Sequence, residues 1–248
     1  MFSAITTTKR LASFVDYLSA LVDEARIQLT PEGLVATAVD SANVAMVDVR
    51  LDASTFESYE ADGGRIALNL GRLDDMLSVA DNDSLVHLDL NEDTRTLDVR
   101  AGRLDYRFAL IDPDAVRQEP DFPDIDGTEL VADSDDLTMI VKAAKSVNEA
   151  DRVRLGYRLD EEEFIAIAEG DTDRMHYEIP RDDLVAVSTA ADVRSLFSLD
   201  YLADVVSPIP SETDVRLTVG DEYPVKLKFH DEDGAHDVQY LVSPRVSS

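Results

Sequence analysis

The side chains in this sequence that could perform acid–base or metal chemistry are mostly carboxylates, and many occur in short clusters. Three such clusters are "DNDS" (81–84), "DEEE" (160–163) and "DEDG" (231–234). Paired carboxylates can share a proton in general acid–base catalysis, or hold a hard cation such as Ca²⁺. A carboxylate-based or metal-dependent enzyme is therefore the first hypothesis to weigh.

The surroundings of these clusters favour turns over a catalytic site. Each cluster lies between two strand-like runs, where a hairpin connection needs polar residues for no chemical reason. "DEDGAHD" lacks the length and the terminal glutamate of a calcium loop. There is no cysteine and no phosphate-binding glycine loop, and the histidines are scattered without an HxxxH pair: His87, His176, His230 and His236. We expect no catalytic residue, no cofactor and no metal site.

The charge balance is the most unusual quantity in the composition. The chain has 52 acidic and 23 basic residues, a formal net charge of −29. Alone, this charge argues against nucleic acid as a partner. Two other causes are adaptation to very high intracellular salt and an acidic tail or chaperone-like role. The acids are spread over loops and polar faces without a concentrated block, and only five lysines accompany 18 arginines, which favours salt adaptation.

Periodicity predicts the same order of elements in both halves of the chain. In the first half, an amphipathic helix over 8–24 with Thr8 as its cap is followed by strands, a short helix at 71–80 and further strands. In the second half, the helical pattern of 133–150 is followed by strands, a short helix at 198–207 and three more strands. The short helices align without gaps at an offset of 129 residues, and the long ones at 126. Two copies of one unit explain this best, with chance similarity of two α+β halves as the alternative.

Residues 112–128, "DPDAVRQEPDFPDIDGT", separate the two copies. Three prolines and six acids against one arginine predict an extended connector. Its few apolar residues either have no special role or cover an apolar groove as a docking strap. The expected organisation is therefore an N-terminal domain at 1–111, a connector at 112–128 and a C-terminal domain at 129–248. No stretch approaches the roughly 20 apolar residues of a membrane span, and no signal peptide is recognisable, so we expect a cytoplasmic protein.

Several segments resemble DNA sliding clamps of the proliferating-cell-nuclear-antigen type. The most specific are "VDSANVAMV" (39–47) and the C-terminal "YLVSPRV" (240–246). "LNLGRLDDML" (68–77), "DYRFALID" (105–112) and "YPVKLKF" (223–229) extend the resemblance over essentially the whole chain. It implies an α+β fold with two similar clamp domains, arranged as a closed homotrimeric ring with helices lining the hole and antiparallel sheets outside. The acid-rich composition suggests an archaeal, salt-adapted member.

The resemblance also implies a function without an active site. Such a ring encircles double-stranded DNA without reading its sequence, after a clamp loader has opened it. It tethers a replicative DNA polymerase, flap endonuclease, DNA ligase and other proteins that carry a clamp-binding peptide. A subunit of a heteromeric checkpoint-type clamp would share the fold and is the alternative, although the connector and the C-terminal motif favour the replicative clamp.

Family residues carried onto this sequence form three candidate surfaces. A groove beneath the connector is expected to bind the partner peptide through Val39, Asn43, Val44, Met46, Phe122, Pro123, Ile125, Pro224, Leu241, Val242, Ser243 and Pro244. Ser243 replaces the alanine usual in relatives, and some of these side chains could instead belong to the core. The subunit boundary is expected to pair 103–110 with 172–179 of a neighbour, through Arg103, Tyr106, Arg107, Asp173, Tyr177 and Glu178.

The third surface is the polar face of the helices, which the resemblance directs toward DNA. Its remaining cations are Lys9, Arg10, Arg72, Lys142 and Lys145. Lys142 and Lys145 lie in "LTMIVKAAKSVNEA" (137–150), and without the resemblance they would belong to an ordinary solvated helix face. Because phosphate contacts lose value steeply as salt rises, we expect weak direct affinity for DNA and retention mainly by closure of the ring.

Overall fold

The computed structural model describes residues 1–81, 83–117, 122–231 and 233–245. These form two compact units. The first comprises Met1–Ser41, Val47–Phe122 and Asp233–Val238, and the second comprises Ala42–Met46, Pro123–Glu232 and Gln239–Ser248. Each unit thus includes a short segment from the other half of the chain, which linear domain boundaries do not capture. None of the helices in the described ranges has the length and apolar character that a membrane span needs.

The first half of the chain builds two antiparallel arrays and two helices. Its elements are β1 (Phe2–Thr7), α1 (Thr8–Ser19), β2 (Glu24–Thr30), β3 (Gly33–Val39), β4 (Ala45–Asp52), β5 (Ser58–Ala61), β6 (Arg65–Asn69), α2 (Leu70–Leu77), β7 (Leu85–Asn91), β8 (Thr96–Ala101) and β9 (Leu104–Ala109). The strand order is β5-β1-β7-β8-β9 in one array and β4-β3-β2-β6 in the other. Helices α1 and α2 pack on each other.

The second half repeats this arrangement. Its elements are β10 (Thr128–Asp133), α3 (Ser134–Lys145), β11 (Arg152–Arg158), β12 (Glu163–Glu169), β13 (Arg174–Pro180), β14 (Ala186–Thr189), β15 (Val193–Ser198), α4 (Leu199–Val206), β16 (Asp214–Val219), β17 (Val225–His230) and β18 (His236–Val242). The strand order is β14-β10-β16-β17-β18 in one array and β13-β12-β11-β15 in the other. Helices α3 and α4 pack on each other, as α1 and α2 do.

Helix α1 is shorter than the sequence pattern predicts, and its cap differs. Thr7 is the cap, and its side chain accepts a hydrogen bond from the Arg10 amide at 3.3 Å. The predicted cap, Thr8, is wrong because its hydroxyl turns to that of Ser84, 2.9 Å away. The helix ends at Ser19. Leu21 and Val22, which continue the apolar pattern, follow the helix and are partly exposed.

Helix α3 carries charges that suit its ends. Asp133 caps it by accepting the Asp135 amide at 2.7 Å. Asp135 and Asp136 lie in the first turn, and Lys142 and Lys145 lie in the last. Negative charge near the first turn and positive charge near the last both stabilise a helix through its dipole. The two lysines therefore have a local structural role that the sequence pattern did not indicate.

Four strands are not predicted by the sequence patterns: β1, β5, β10 and β15. β1 ("FSAITT") and β10 ("TELVAD") bury alternate residues, as a strand with one face on the core does. Small or polar side chains hold part of the buried positions, so the apolar alternation is weak in the sequence. At the connection between β2 and β3, Gly33 has φ of 140° with no room for a Cβ, which would lie 2.1 Å from the Leu51 carbonyl.

Strand pairing extends the internal repeat to individual residues. In β2 and β6, Arg26 lies opposite Ala67. In β11 and β15, Arg154 lies opposite Leu196. Since the offset of 129 that relates the short helices also relates Ala67 to Leu196, Arg26 and Arg154 occupy equivalent positions in the two repeats.

Candidate docking, subunit-edge and DNA-facing surfaces

The centre of the expected docking site lies in the second unit, where the residues before β4 meet the end of β18. The amide of Ser243 donates to the carbonyl of Val44 at 2.8 Å, which joins the two segments. Asn43 turns the chain into β4 with φ of 59°, a left-handed conformation that asparagine tolerates. Val44 is therefore fixed beside Ser243, and both residues are partly exposed.

Exposure divides the expected docking residues into a surface set and a supporting set. Met46 and Leu241 are 8% and 6% exposed, and Val242 has no exposed surface. The side chains of these three residues pack in the core, so they can support the site only from beneath. The last three residues of β18 are all buried: Tyr240 and Val242 follow the alternation of the strand, and Leu241 departs from it. The exposed or partly exposed set of the second unit is Asn43, Val44, Pro123, Ile125, Pro224, Ser243 and Pro244.

The connector contributes to this unit through its second half. Ile125 is partly exposed, and Pro123 is exposed. The ammonium of Lys226 on β17 lies 4.0 Å from the carboxylate of Asp124, a loose ion pair that ties the connector to the strand after Pro224. The preceding residues 118–121 lie outside the described residues. The other two expected docking residues, Val39 and Phe122, belong to the first unit, where both are partly exposed.

A buried arginine, Arg26, holds the first half of the connector, and sequence reasoning missed it. Arg26 is 5% exposed, and its guanidinium donates to the carbonyls of Pro113 and Val116, the Nε–O distance to Pro113 being 3.0 Å. Arg117 in turn donates to the carbonyl of Asp40 at 3.0 Å. A lone arginine in a strand-like run was the only signal, and its partner is 87 residues away in sequence.

Strand β9 carries the first set of expected subunit-boundary residues and is the end strand of its array. Arg107 forms a two-pronged ion pair with Asp98 on the adjacent strand, at 2.6 and 3.0 Å. This pair lowers the pKa of the Asp98 carboxyl. Tyr106 is 37% exposed and stacks at an angle on Phe108, with ring centroids 4.3 Å apart. Arg103 is exposed. Because Arg107 already has a partner in its own chain, it is less available to a neighbour than its charge suggested.

Strand β13 carries the second set and is also the end strand of its array. The Tyr177 hydroxyl donates to Asp136 at 2.8 Å, and burial together with this hydrogen bond raises the pKa of Tyr177 to about 12. Glu178 lies 3.4 Å from Arg158 and 3.3 Å from His176. Asp173, just before the strand, is exposed. Two strands, one in each unit, thus present a backbone edge that no strand in the described residues covers.

The polar face of α1 and α2 carries both basic and acidic side chains. Lys9 and Arg72 are exposed. The guanidinium of Arg10 instead donates to the carbonyl of Thr55 at 2.6 Å, so this residue fixes a turn. Burial, and then repulsion from Asp74 on α2, raises the pKa of Asp16 on the same face.

The polar face of α3 and α4 has a different balance. Lys142 and Lys145 are both exposed. Burial and repulsion from Asp200 raise the pKa of Asp204 on α4, and nearby Lys145 opposes this shift. Lys145 therefore interacts with a carboxylate of its own chain, which leaves Lys142 as the less compensated cation of this face.

Within the ranges that the structure describes, no three histidine or acidic side chains come together as a set of metal ligands. Two of the acidic clusters, 160–163 and the described part of 231–234, lie at turns between strands, as predicted. The prediction is wrong for the third, because the described part of 81–84 connects α2 to β7.

Comparisons with known proteins identify the fold. Residues 1–105 match the family described as "Proliferating cell nuclear antigen, N-terminal domain". The solved structure of the C-terminal region of FEN-1 bound to A. fulgidus PCNA superposes with a TM-score of 0.92 at 32% identity, over the whole of both chains. PCNA from Thermococcus kodakaraensis superposes with a TM-score of 0.88 at 25% identity, over 99% of this chain and 100% of that one. The fold is therefore that of a PCNA-type clamp.

Sequence relatives make the assignment specific. The DNA polymerase sliding clamps of Natronomonas pharaonis and Haloarcula marismortui are 48% and 47% identical to this chain over 249 aligned positions, which cover the whole of each chain. The chain belongs to the family of DNA polymerase sliding clamps. Its relatives among halophilic archaea agree with the salt adaptation predicted from the charge of −29.

Proposed function

We propose that three copies of this chain form a closed ring around duplex DNA and tether DNA polymerase and other partners to it. The observation that carries the proposal is the similarity to sliding clamps over both repeats and the whole length of the chain. A clamp loader would open the ring, and the site of action would be the chromosome in the cytoplasm. The proposed domains are 1–111 and 129–248, joined by the connector at 112–128, and the chain would have no catalytic activity of its own.

The proposed ring uses the two uncovered edges. Pairing β9 of one subunit with β13 of the next would satisfy both backbones and remove two aggregation-prone edges. In high salt the charges of Arg103 and Arg107 would contribute little, so strand hydrogen bonds and apolar contact would dominate.

Light scattering at several salt concentrations tests the ring. Three subunits of 27.4 kDa give 3 × 27.4, or 82.2 kDa, and that mass is expected. A monomer that assembles only with a different protein would instead support the heteromeric alternative. Arg103 and Arg107 could form ion pairs with Asp173 and Glu178 of the neighbouring subunit. If the double variant Arg103→Glu/Arg107→Glu still forms an unchanged trimer, these ion pairs are ruled out and the ring proposal stands.

The proposed docking groove would take a short peptide that ends in aromatic residues. An aromatic anchor fits an apolar pocket, and an exposed backbone beside it can pair with an extended peptide. FEN-1 is the partner segment in the A. fulgidus PCNA structure, and a flap endonuclease is one of the partners proposed for this chain.

Fluorescence anisotropy with that FEN-1 C-terminal segment tests the groove. Val44→Asp places a charge on the partly exposed residue held beside Ser243, and we expect at least about a tenfold loss of affinity. The matched control is Val185→Asp, since Val185 is 54% exposed in the same unit and outside the expected groove. Equal affinity in the Val44 variant and the control would contradict this location of the groove.

A further inference from the structure

The two repeats carry the same pair of arginines at equivalent positions. On the first strand of each pair, the equivalent residues are Arg26 and Arg154, as their cross-strand partners show. On the second strand, the offset of 129 relates Arg65 to Arg194. In both repeats the two arginines are diagonal neighbours on adjacent strands, which puts long side chains within reach of one ligand.

In the first repeat this pair binds an extended segment of the same chain. Arg26 donates to the carbonyl of Pro113 and, at 2.8 Å, to that of Val116. Arg65 forms an ion pair with the carboxylate of Asp114 at 2.9 Å. Residues 113–116 thus present main-chain carbonyls to one arginine and a carboxylate to the other. The first repeat thus shows that such a pair of arginines can bind main-chain carbonyls and a carboxylate of one extended segment.

In the second repeat the same pair faces a cavity. The cavity has a volume of about 480 Å³ and is lined by Arg154, Arg194, Ser195, Leu196, Glu222, Pro244 and Arg245. Arg154 is partly exposed and Arg194 is exposed. Within the described parts of the chain, neither guanidinium has a hydrogen-bond acceptor or a carboxylate partner. Two adjacent arginines without an ion-pair partner among the described residues are unusual in a chain whose net charge is −29.

The backbone around the cavity follows the first repeat closely. The amide of Arg245 donates to the carbonyl of Leu196 at 2.6 Å, as the amide of Ile111 donates to that of Ala67 at 2.8 Å. Arg245 therefore stands where Ile111 stands, just before the segment that Arg26 holds in the first repeat. Its own charge is satisfied, because it pairs with Asp151 at 2.5 Å.

Acidic groups also lie near the pair, but none in the described residues forms an ion pair with Arg154 or Arg194. Glu222 lines the same cavity, and Asp192 and Asp221 line an adjoining one. Asp221 accepts a hydrogen bond from the backbone amide of Arg194 at 3.2 Å. Asp192 accepts one from the amide of Leu159 at 3.0 Å. Both aspartates are thus oriented by the main chain, and in the described residues the donors of the two guanidinium groups have no acceptor.

We propose that Arg154 and Arg194 bind an acidic, extended segment that flanks the docking peptide of a partner protein. Arg194 takes a carboxylate of that segment, as Arg65 takes Asp114, and Arg154 takes main-chain carbonyls, as Arg26 does. The inference rests on the proposed docking function, because Pro244 belongs both to this cavity and to the expected groove. The groove binds the apolar side chains of the docking peptide, and the cavity adds a preference for acidic residues next to that peptide.

Four labelled peptides test the preference on the full chain. Each contains the FEN-1 C-terminal segment, extended at one end by Asp-Pro-Asp, which copies residues 112–114, or by the neutral Asn-Pro-Asn. Anisotropy is measured in about 0.2 M and about 2 M KCl, since screening weakens exposed charge pairs. We expect the acidic flank at one end to bind about three- to tenfold tighter at the lower salt, as charge-assisted hydrogen bonds imply.

Arginine variants decide whether the cavity causes this preference. Arg154→Gln/Arg194→Gln should remove the advantage of the acidic flank and leave the affinity for the neutral peptide unchanged. Arg181→Gln, an exposed arginine of the same unit outside the cavity, is the control and should keep the advantage. Thermal unfolding and light scattering check that the variants remain folded and assembled.

The possible results separate the two proposals. Equal binding of acidic and neutral peptides, or an advantage that survives in the double variant, would overturn the inference and leave the docking groove standing. Failure of every peptide to bind would overturn the docking function and this inference with it. If the double variant instead lost affinity for a short DNA duplex and treated the peptides alike, the arginines would belong to nucleic acid and the inference would be wrong.

Discussion

The first and second repeats place equivalent arginines on equivalent strands, yet the two pairs have different surroundings. Arg26 is 5% exposed because residues of the connector cover it, whereas Arg154 remains partly exposed beside a cavity. A buried guanidinium that binds main-chain carbonyls becomes part of the fold, since leaving it unpaired in the interior would be costly. The same side chain beside a cavity is available to a ligand. The duplicated scaffold has therefore kept its geometry and separated its roles.

The helices differ between the repeats in a similar way. The polar face of α1 and α2 brings Asp16 near Asp74, and no lysine offsets that repulsion. The face of α3 and α4 brings Asp204 near Asp200, and there Lys145 does offset it. The second repeat thus retains more of the positive charge expected of a DNA-facing surface.

The largest effect should come from removing the arginine that is buried. Arg26→Met leaves the carbonyls of Pro113 and Val116 without their donor, and we expect a loss of about 2–4 kcal/mol in the free energy of unfolding. Arg154→Met removes no hydrogen bond in the described residues and should change stability by less than about 0.5 kcal/mol. Chemical denaturation at equal subunit concentration measures both, because assembly also affects apparent stability.

A further variant sharpens this comparison. Arg26→Lys keeps the charge but loses the fork of donors that reaches two carbonyls, so it should recover only part of the stability. If Arg26→Met and Arg154→Met cost the same, the structural role assigned to the first arginine pair would be wrong. The two arginine pairs would then not differ in the way proposed, one bound to the connector and the other available to a ligand.

The difference between the two arginine pairs also shows which features can be predicted from the sequence and which cannot. The repeat, the helices and most strands follow from apolar spacing, and the segments that match a family identify the clamp fold. The partner of Arg26 does not follow, because nothing local in "ARIQLT" indicates a carbonyl 87 residues away. Strands β1 and β10 were missed because threonine and alanine fill buried positions that apolar patterns would assign to larger residues.

For the candidate docking site, the sequence indicates which segments to bring together but not which of their side chains are exposed. The motif around Val44 and the C-terminal motif do come together, through the hydrogen bond from Ser243. Which side chains are exposed depends on packing, and Leu241 is buried although the alternation of β18 would leave it exposed. Spacing along a chain cannot reveal such a change in one strand.

Helix capping should give the next largest effect and compares the repeats again. Asp133→Ala removes a charged cap at 2.7 Å from the Asp135 amide, and Thr7→Ala removes a neutral one at 3.3 Å from the Arg10 amide. We expect losses of about 1 kcal/mol for the first and somewhat less for the second. Denaturation curves of both variants and the unchanged chain, recorded in the same buffer at neutral pH, measure the two losses. A larger loss for Thr7→Ala would contradict the ranking of the caps by charge and distance.

A smaller effect should appear in the pH dependence of stability. Because the pKa of Asp16 is raised in the folded state, its ionised form weakens the fold at neutral pH, and this cost disappears as pH falls below the unfolded value of 3.8. Asp16→Asn should therefore stabilise the protein by a few tenths of a kcal/mol at neutral pH, allowing for solvent screening, and have no effect in acid. Asp204→Asn should gain less, since Lys145 already offsets the charge of Asp204. Equal gains would mean that Lys145 contributes nothing to this face.

The smallest effects should come from removing cations on the polar faces of the helices. Lys142→Gln/Lys145→Gln removes both exposed cations from its polar face, and a ring that stays on DNA by topology should lose little retention. At about 1 M salt the screening length is roughly 3 Å, so phosphate attraction acts only at contact. We expect less than about a twofold change in the lifetime of loaded clamps on nicked circular DNA at that salt, and a larger change near 0.1 M.

Lys9→Gln/Arg72→Gln is the matched change on the first repeat, where nearby acids already weaken the positive potential, and should have a smaller effect still. A loss of all loaded clamps in the α3 variant at high salt would show that retention depends on these contacts, and closure of the ring would no longer suffice to explain it.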